Sequence, residues 1–172
     1  MTPGSDISAR TSWLIFLGLW LSCAIALIYF AWEFIIPMNF RDPDDALRLV
    51  QVRDLLAGQS WFDLTQHRIY PPEGVPMHWS RLVDLPIALL LWPLQPLLGP
   101  ALAERVVLVA VPLLNLLATA FFIYRIARAL ALSRMLALLT VAMLLSTFSI
   151  LVQYAPIRID HHASQVIFGA AA

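Results

Sequence analysis

Two short clusters and one neighbouring arginine carry side chains able to do chemistry. Asp42, Asp44 and Asp45 put three carboxylates within four residues. Such a set can bind a hard divalent cation, which in turn can neutralise a phosphate. The same acids before an amphipathic run also suit a helix start, where a carboxylate accepts orphan amides and meets the positive end of the dipole. Asp160-His161-His162 is the second cluster. Asp160 and His162 stand two apart, so an extended or turning backbone points both to one side, as an Asp-x-acid metal motif requires, and directs His161 elsewhere. The bland alternative is a polar edge at the water interface. A zinc site would lack the usual ligand spacing. Arg158 either meets a phosphate or anchors a helix end at the interface.

The elements that must position these residues are set by composition. Of 172 residues 60% are hydrophobic and 13% charged, against roughly 25% charged in an average soluble domain. A water-soluble fold could not hide so much apolar surface. The 11 basic residues, all arginine, balance 11 acids, so no basic field exists to attract nucleic acid. Cys23 lies alone in an apolar run, which leaves neither a disulfide nor a cysteine metal site within the chain.

Four stretches carry no charge: 11–32, 85–103, 106–124 and 135–157. The first is too long for a signal-peptide core and matches the roughly 20 residues that cross a bilayer. The spacing predicts transmembrane helices at about 12–32, 106–124 and 135–155, and the start of another at about 163–172. The stretch 85–103 holds Pro86, Pro93, Pro96 and Pro100. Each interior proline removes a hydrogen bond that hydrocarbon cannot replace, so this segment is expected to lie in the interface or to re-enter. Arg125, Arg128 and Arg134 form a basic connection that belongs on the cytoplasmic side. The loop 33–105 and the cluster at 158–162 then emerge together on the outer face.

That outer loop holds Trp61, Phe62, Tyr70 and Trp79, which read as loop core and interface anchors, and two histidines, His67 and His78, that read as surface residues. Asp42-Pro43 to Gly58 reads as an amphipathic helix over about 43–57, with Asp42 at the N-cap and Pro43 at the first helical position. Ala46, Leu49, Val52 and Leu56 would share its buried face, with Asp44, Arg48 and Gln51 turned away. Tyr70-Pro71-Pro72-Glu73-Gly74 is a turn region. The sequence stops at Gly169-Ala170-Ala171-Ala172 inside an apolar run, and the expectation is the N-terminal part of a longer polytopic protein.

The order of these pieces resembles the membrane glycosyltransferases of the C clan (GT-C), most closely the catalytic subunit of oligosaccharyltransferase. The residues that carry the likeness are Asp42-Pro43-Asp44-Asp45-Ala46-Leu47-Arg48, Trp61-Phe62-Asp63, Tyr70-Pro71-Pro72-Glu73-Gly74 and Ile159-Asp160-His161-His162. The resemblance covers about residues 12–172. It implies an all-α, polytopic helix bundle with a long, partly helical extracytoplasmic loop. The implied activity is transfer of a sugar from a polyprenyl-phosphate or -diphosphate carrier to an acceptor (protein, lipid or glycan) at the outer face. By the likeness Asp42 and Asp160 are catalytic and ligate a divalent metal, Mn2+ or Mg2+, with His162 as third ligand. Histidine stands where the family has an acid, which shifts preference toward manganese or a softer ion. The aromatic pair after Asp-Pro is replaced by Asp44 and Asp45. The implied location is a bacterial inner membrane, multi-pass, with the site on the periplasmic side.

Two rival classes make different demands. A transporter needs ionisable residues near the midplane of its spans, and the three predicted spans hold none. A non-catalytic assembly subunit needs only the helix cap that Asp42 supplies.

Overall fold

The computed structural model describes residues 6–172, and 71% of the described residues are helical, with seven α-helices among them. Helix α1 runs Ala9–Ile35, capped at Ser8, whose hydroxyl accepts the Thr11 amide at 3.1 Å. Helix α2 is Pro43–Leu56, α3 Arg81–Leu98 and α4 Pro100–Ala129. Helices α5 (Arg134–Ser146) and α6 (Phe148–Leu151) lead through a 3-10 turn at Val152–Tyr154 to α7, His162–Ala171. Three helices, α1, α3 and α4, are long and apolar enough to cross a membrane, and the α5–α6 pair passes the same test as one bent unit.

Helix α4 is the central pillar. Its 30 residues extend ~45 Å at 1.5 Å per residue, against ~30 Å of hydrocarbon, so about a third of it stands beyond the apolar layer. Its C-terminal half packs between α1 and α5 around Phe16, Ala120, Tyr124, Leu138 and Val141. The Ser12 and Tyr124 hydroxyls bond at 2.8 Å inside this contact, which satisfies two polar groups that lipid could not. Its N-terminal half meets α2 and α3 in a second core built on Leu49, Val52, Ile87, Leu91, Val107 and Leu108.

The corner between α3 and α4 is Gly99, at φ +77, followed by Pro100 at the first helical position. Only glycine takes that conformation without strain, and proline is pre-set to start the next helix. Pro86, Pro93 and Pro96 lie inside α3 and are exposed, on the face opposite the buried Asp84, Ile87 and Leu91.

Two expectations are corrected here. Arg48 and Gln51 do not turn away from the core; both are 0% exposed. The buried face of α2 is Asp45, Arg48, Leu49 and Val52, at i, i+3, i+4 and i+7. Asp84 arrives from α3 to receive Arg48 Nη1 at 2.6 Å and Gln51 Nε2 at 2.7 Å. A sequence pattern scored by polarity misses a buried face that is neutralised by a partner distant in the chain. The stretch 135–155 is not one helix. It breaks at Thr147 with a bend of 69° between α5 and α6. Ser146 Oγ and Thr147 Oγ1 both donate to the Met143 carbonyl, at 2.9 and 2.8 Å, and so draw off an acceptor of the backbone ladder.

The loop from α2 to α3 is folded. Thr65–Gln66 pairs antiparallel with Val75–Pro76. Gly74 closes this hairpin at φ +78, where an added Cβ would meet Thr65 Cγ2 at 2.6 Å. Arg81 gathers the loop by donating to the carbonyls of Gln51 and Asp63 and to Gln59 Oε1. Trp79 is buried beneath Arg48, its ring 4.6 Å from the guanidinium carbon, whereas Phe62 and Tyr70 are exposed. At the opposite end of the molecule the Asp6 carboxylate accepts the Arg134 amide at 3.0 and 3.1 Å, capping α5 and meeting the basic connection.

Candidate functional site

The start of α2 and the segment 155–162 meet although 116 residues separate the two ends of their closest ion pair. Asp42 caps α2, its Oδ1 accepting the Asp44 amide at 3.0 Å. Its other oxygen receives Arg158 Nη1 at 3.0 Å. The Asp44 amide and then Arg158 hold the Asp42 carboxyl below the usual carboxylate range, so it is ionised at neutral pH.

Asp45, one turn further along α2, is wholly buried. Its Oδ1 accepts the amides of Ile159 and Asp160 at 2.8 and 2.9 Å, and its Oδ2 lies 3.5 Å from Arg158 Nη1. Burial pushes its carboxyl up to about 6, against the opposing pull of Arg158 and the two amides. The segment is pinned a second time where the Ile157 amide donates to the Leu108 carbonyl of α4 at 2.8 Å. Ile157 pays for this with φ +77, a region β-branched residues rarely enter. Its side chain is held by burial against Ala31 and Ile35 of α1. Two tethers thus fix the backbone at Asp160 relative to both α2 and α4.

Asp160 is 5% exposed and points at both following histidines. Its Oδ2 lies 3.2 Å from His162 Nε2, and its Oδ1 meets His161 Nδ1 and accepts the His161 amide at 2.5 Å. Ligand atoms of Asp160, His161 and His162 lie within 4.8 Å of one another. This alters the expected grouping. His161 does not point away, because the chain turns into α7 at His161, with φ −72 and ψ −16, and the alternation of an extended strand is lost. Asp42 lies outside this three-residue group, its carboxylate taken by Arg158. Arg158 in turn is neither a helix-end anchor nor a free phosphate donor. It is paired with Asp42 and Asp45.

Sequence reasoning grouped Asp45 with Asp42 and Asp44 without singling it out, and it turned His161 away from Asp160. The signal for Asp45 was its position three after Asp42, which puts both on one edge of the first turn.

Beside the cluster an apolar groove of about 620 Å³ runs between α1 and the α5–α6 break. Small side chains open it: Cys23, Ala26 and Ala31 from α1, Ala142 from α5, and Ala155 beyond the turn. The bend at Thr147 carries α6 away from the line of α5, so the space is not filled by a continuing helix. The groove ends at Arg41, which also lines a smaller cleft with Asn39 and Arg158. Apolar groove and charged cluster therefore adjoin.

Comparison of the chain with protein-family models, with curated proteins and with solved structures finds no match. The chain is a mostly helical protein whose three apolar helices suit a membrane.

Proposed function

We propose that the protein is a membrane glycosyltransferase of the GT-C type, moving a sugar from a polyprenyl-phosphate or -diphosphate carrier to an acceptor at the outer membrane face. The observation that carries this reading is the junction of an apolar groove with a cluster of three carboxylates, one arginine and two histidines drawn from both ends of the chain. A substrate with a long apolar chain and a charged, reactive head needs both halves side by side. A transporter would need ionisable groups near the midplane of its spans, whereas the buried acids Asp84 and Glu104 fall within the first five residues of α3 and α4 and the open cluster lies at one end of α2 and at 158–162. Placing Arg125, Arg128 and Arg134 on the cytoplasmic side puts that cluster on the extracytoplasmic, periplasmic face.

The donor set of Asp160, His161 and His162 suits manganese or a softer first-row ion better than magnesium, because two imidazoles disfavour an ion that prefers an all-oxygen shell. His161 Nδ1 and His162 Nε2 both face the Asp160 carboxylate, so the three side chains converge on one point. When bound, such an ion would offset charge on a departing phosphate. The chain's own groups do the rest. Asp42, held ionised by its amide and Arg158, is a weak base and a good acceptor, so it orients an incoming hydroxyl or amide more than it removes a proton. Arg158 keeps Asp42 and Asp45 together despite their like charge. Asp45 fixes the backbone that presents Asp160.

The test is release of polyprenyl phosphate from a polyprenyl-phosphate sugar by the full chain in detergent with manganese. Wild type should consume donor, and Asp160→Asn should fall by at least ~100-fold, the scale of removing a transition-state charge stabiliser. Equal turnover by Asp42→Ala and Asp160→Ala would sink the reading.

A further inference from the structure

Arg158 was the sequence's candidate for meeting a phosphate, yet two carboxylates already neutralise it. Arg41 differs. It is the single charged residue lining the apolar groove, and it stands at the groove's polar end. No carboxylate pairs with it among the described residues. Its guanidinium is instead held flat over Phe34, 3.7 Å from the ring centroid, which fixes the fork while leaving its donors free. Arg41 is exposed there, so its guanidinium is open to an anionic head group at the groove's mouth. The groove it closes follows α1 from Leu19 to Ala31, about 18 Å at 1.5 Å per residue.

We infer that Arg41 binds the head phosphate of a single-chain lipid whose apolar tail lies in the groove between α1 and the α5–α6 break. The isoprenoid nature of the chain rests on the transferase reading; the phosphate contact and the groove do not. Guanidinium and phosphate match as a two-point, charge-assisted pair. The lipid phosphate would then sit in the cleft that Arg41 shares with Arg158, beside Asp42.

Binding alone tests this. Polyprenyl monophosphate retained by the full chain in detergent is measured by native mass spectrometry, with the matching polyprenol and phosphatidylglycerol as comparison probes. Arg41→Gln should weaken retention of the phosphate lipid roughly tenfold or more, the scale of one lost charge-assisted contact, and leave polyprenol retention unchanged. Arg41→Lys should recover part of it. Ala142→Trp, which fills the groove, should weaken polyprenol and polyprenyl phosphate alike. Wild-type retention by Arg41→Gln overturns the inference, and so does equal retention of phosphatidylglycerol, which would mark an ordinary membrane-lipid contact. Because no sugar transfer is read, the two proposals fail separately. A chain that binds through Arg41 and consumes no sugar donor sinks only the transferase, whereas a donor-consuming chain indifferent to Arg41→Gln sinks only this assignment.

Discussion

Helix α2 carries two charge clusters, one at its N-terminus and one on its middle turns, and they are built to opposite rules. In the middle cluster Arg48 and Asp84 are both fully buried, Gln51 and Arg81 share the same carboxylate, and Trp79 covers the guanidinium. One acid serves two arginines there. At the N-terminus two acids, Asp42 and Asp45, face one arginine while Asp160 faces two histidines, and Asp42 and both histidines reach solvent. The first cluster is closed and joins α2 to α3. The second is open, has acid in excess and adjoins a groove. Burial beneath Trp79 yields a joint; partial exposure beside a groove leaves capacity for a ligand.

That contrast predicts where damage appears. The largest effect belongs to the joint. Asp84→Ala leaves Arg48 buried without its partner and should cost ~3–5 kcal/mol, read as a lowered unfolding transition in detergent. A loss under ~1 kcal/mol, the range of exposed pairs, would erase the distinction. Next comes Asp45, the one acid of the open cluster that is as buried as Asp84. Its carboxyl titrates near 6 in the folded chain against an ordinary 3.8. Between these values the folded state holds a proton that the unfolded state has released, so stability falls as pH rises from about 4 to about 6. Asp42, held low, acts in the opposite sense only below that window. The groups facing Asp45 are Arg158, Asp160 and the amides of Ile159 and Asp160. Asp45→Asn should flatten the slope of unfolding temperature against pH across this window, and an unchanged slope would assign it elsewhere.

Smaller effects on stability separate the two clusters further. Asp42→Ser keeps a good cap and should barely move the unfolding transition, while donor consumption falls at least ~10-fold through loss of an oriented charge. Parallel losses of stability and turnover would make Asp42 a second joint. The smallest effect is expected at Asp6, the solvent-exposed latch to Arg128 and Arg134. Asp6→Asn should shift unfolding only at low salt, and the difference should vanish near ~1 M, where the screening length is ~3 Å.

Much of this was legible in the sequence. Apolar runs long enough for a bilayer, the cap at Asp42-Pro43 and the turn ending at Gly74 are local signals, and helices α1, α2 and α4 sit where those signals fall. The buried charges were not legible. Arg48 and Gln51 read as solvent-facing because polarity predicts exposure unless a partner is known, and Asp84 lies more than thirty residues away. The break at Thr147 was masked because a serine-threonine pair in an apolar run is compatible with either a straight or a bent helix.

The sequence by itself determined the solvent, because 60% hydrophobic residues in uninterrupted runs leave a bilayer as the favourable surrounding. It also determined which residue types were available for chemistry. Tertiary structure alone decided which of them work together. Asp45 rather than Asp44 faces the site, Arg158 is neutralised, His161 joins Asp160, and Arg41 beside the groove meets no carboxylate among the described residues. The reason is physical: a carboxylate's role follows from the charges and amides within a few ångströms, and helix packing brings those from far along the chain.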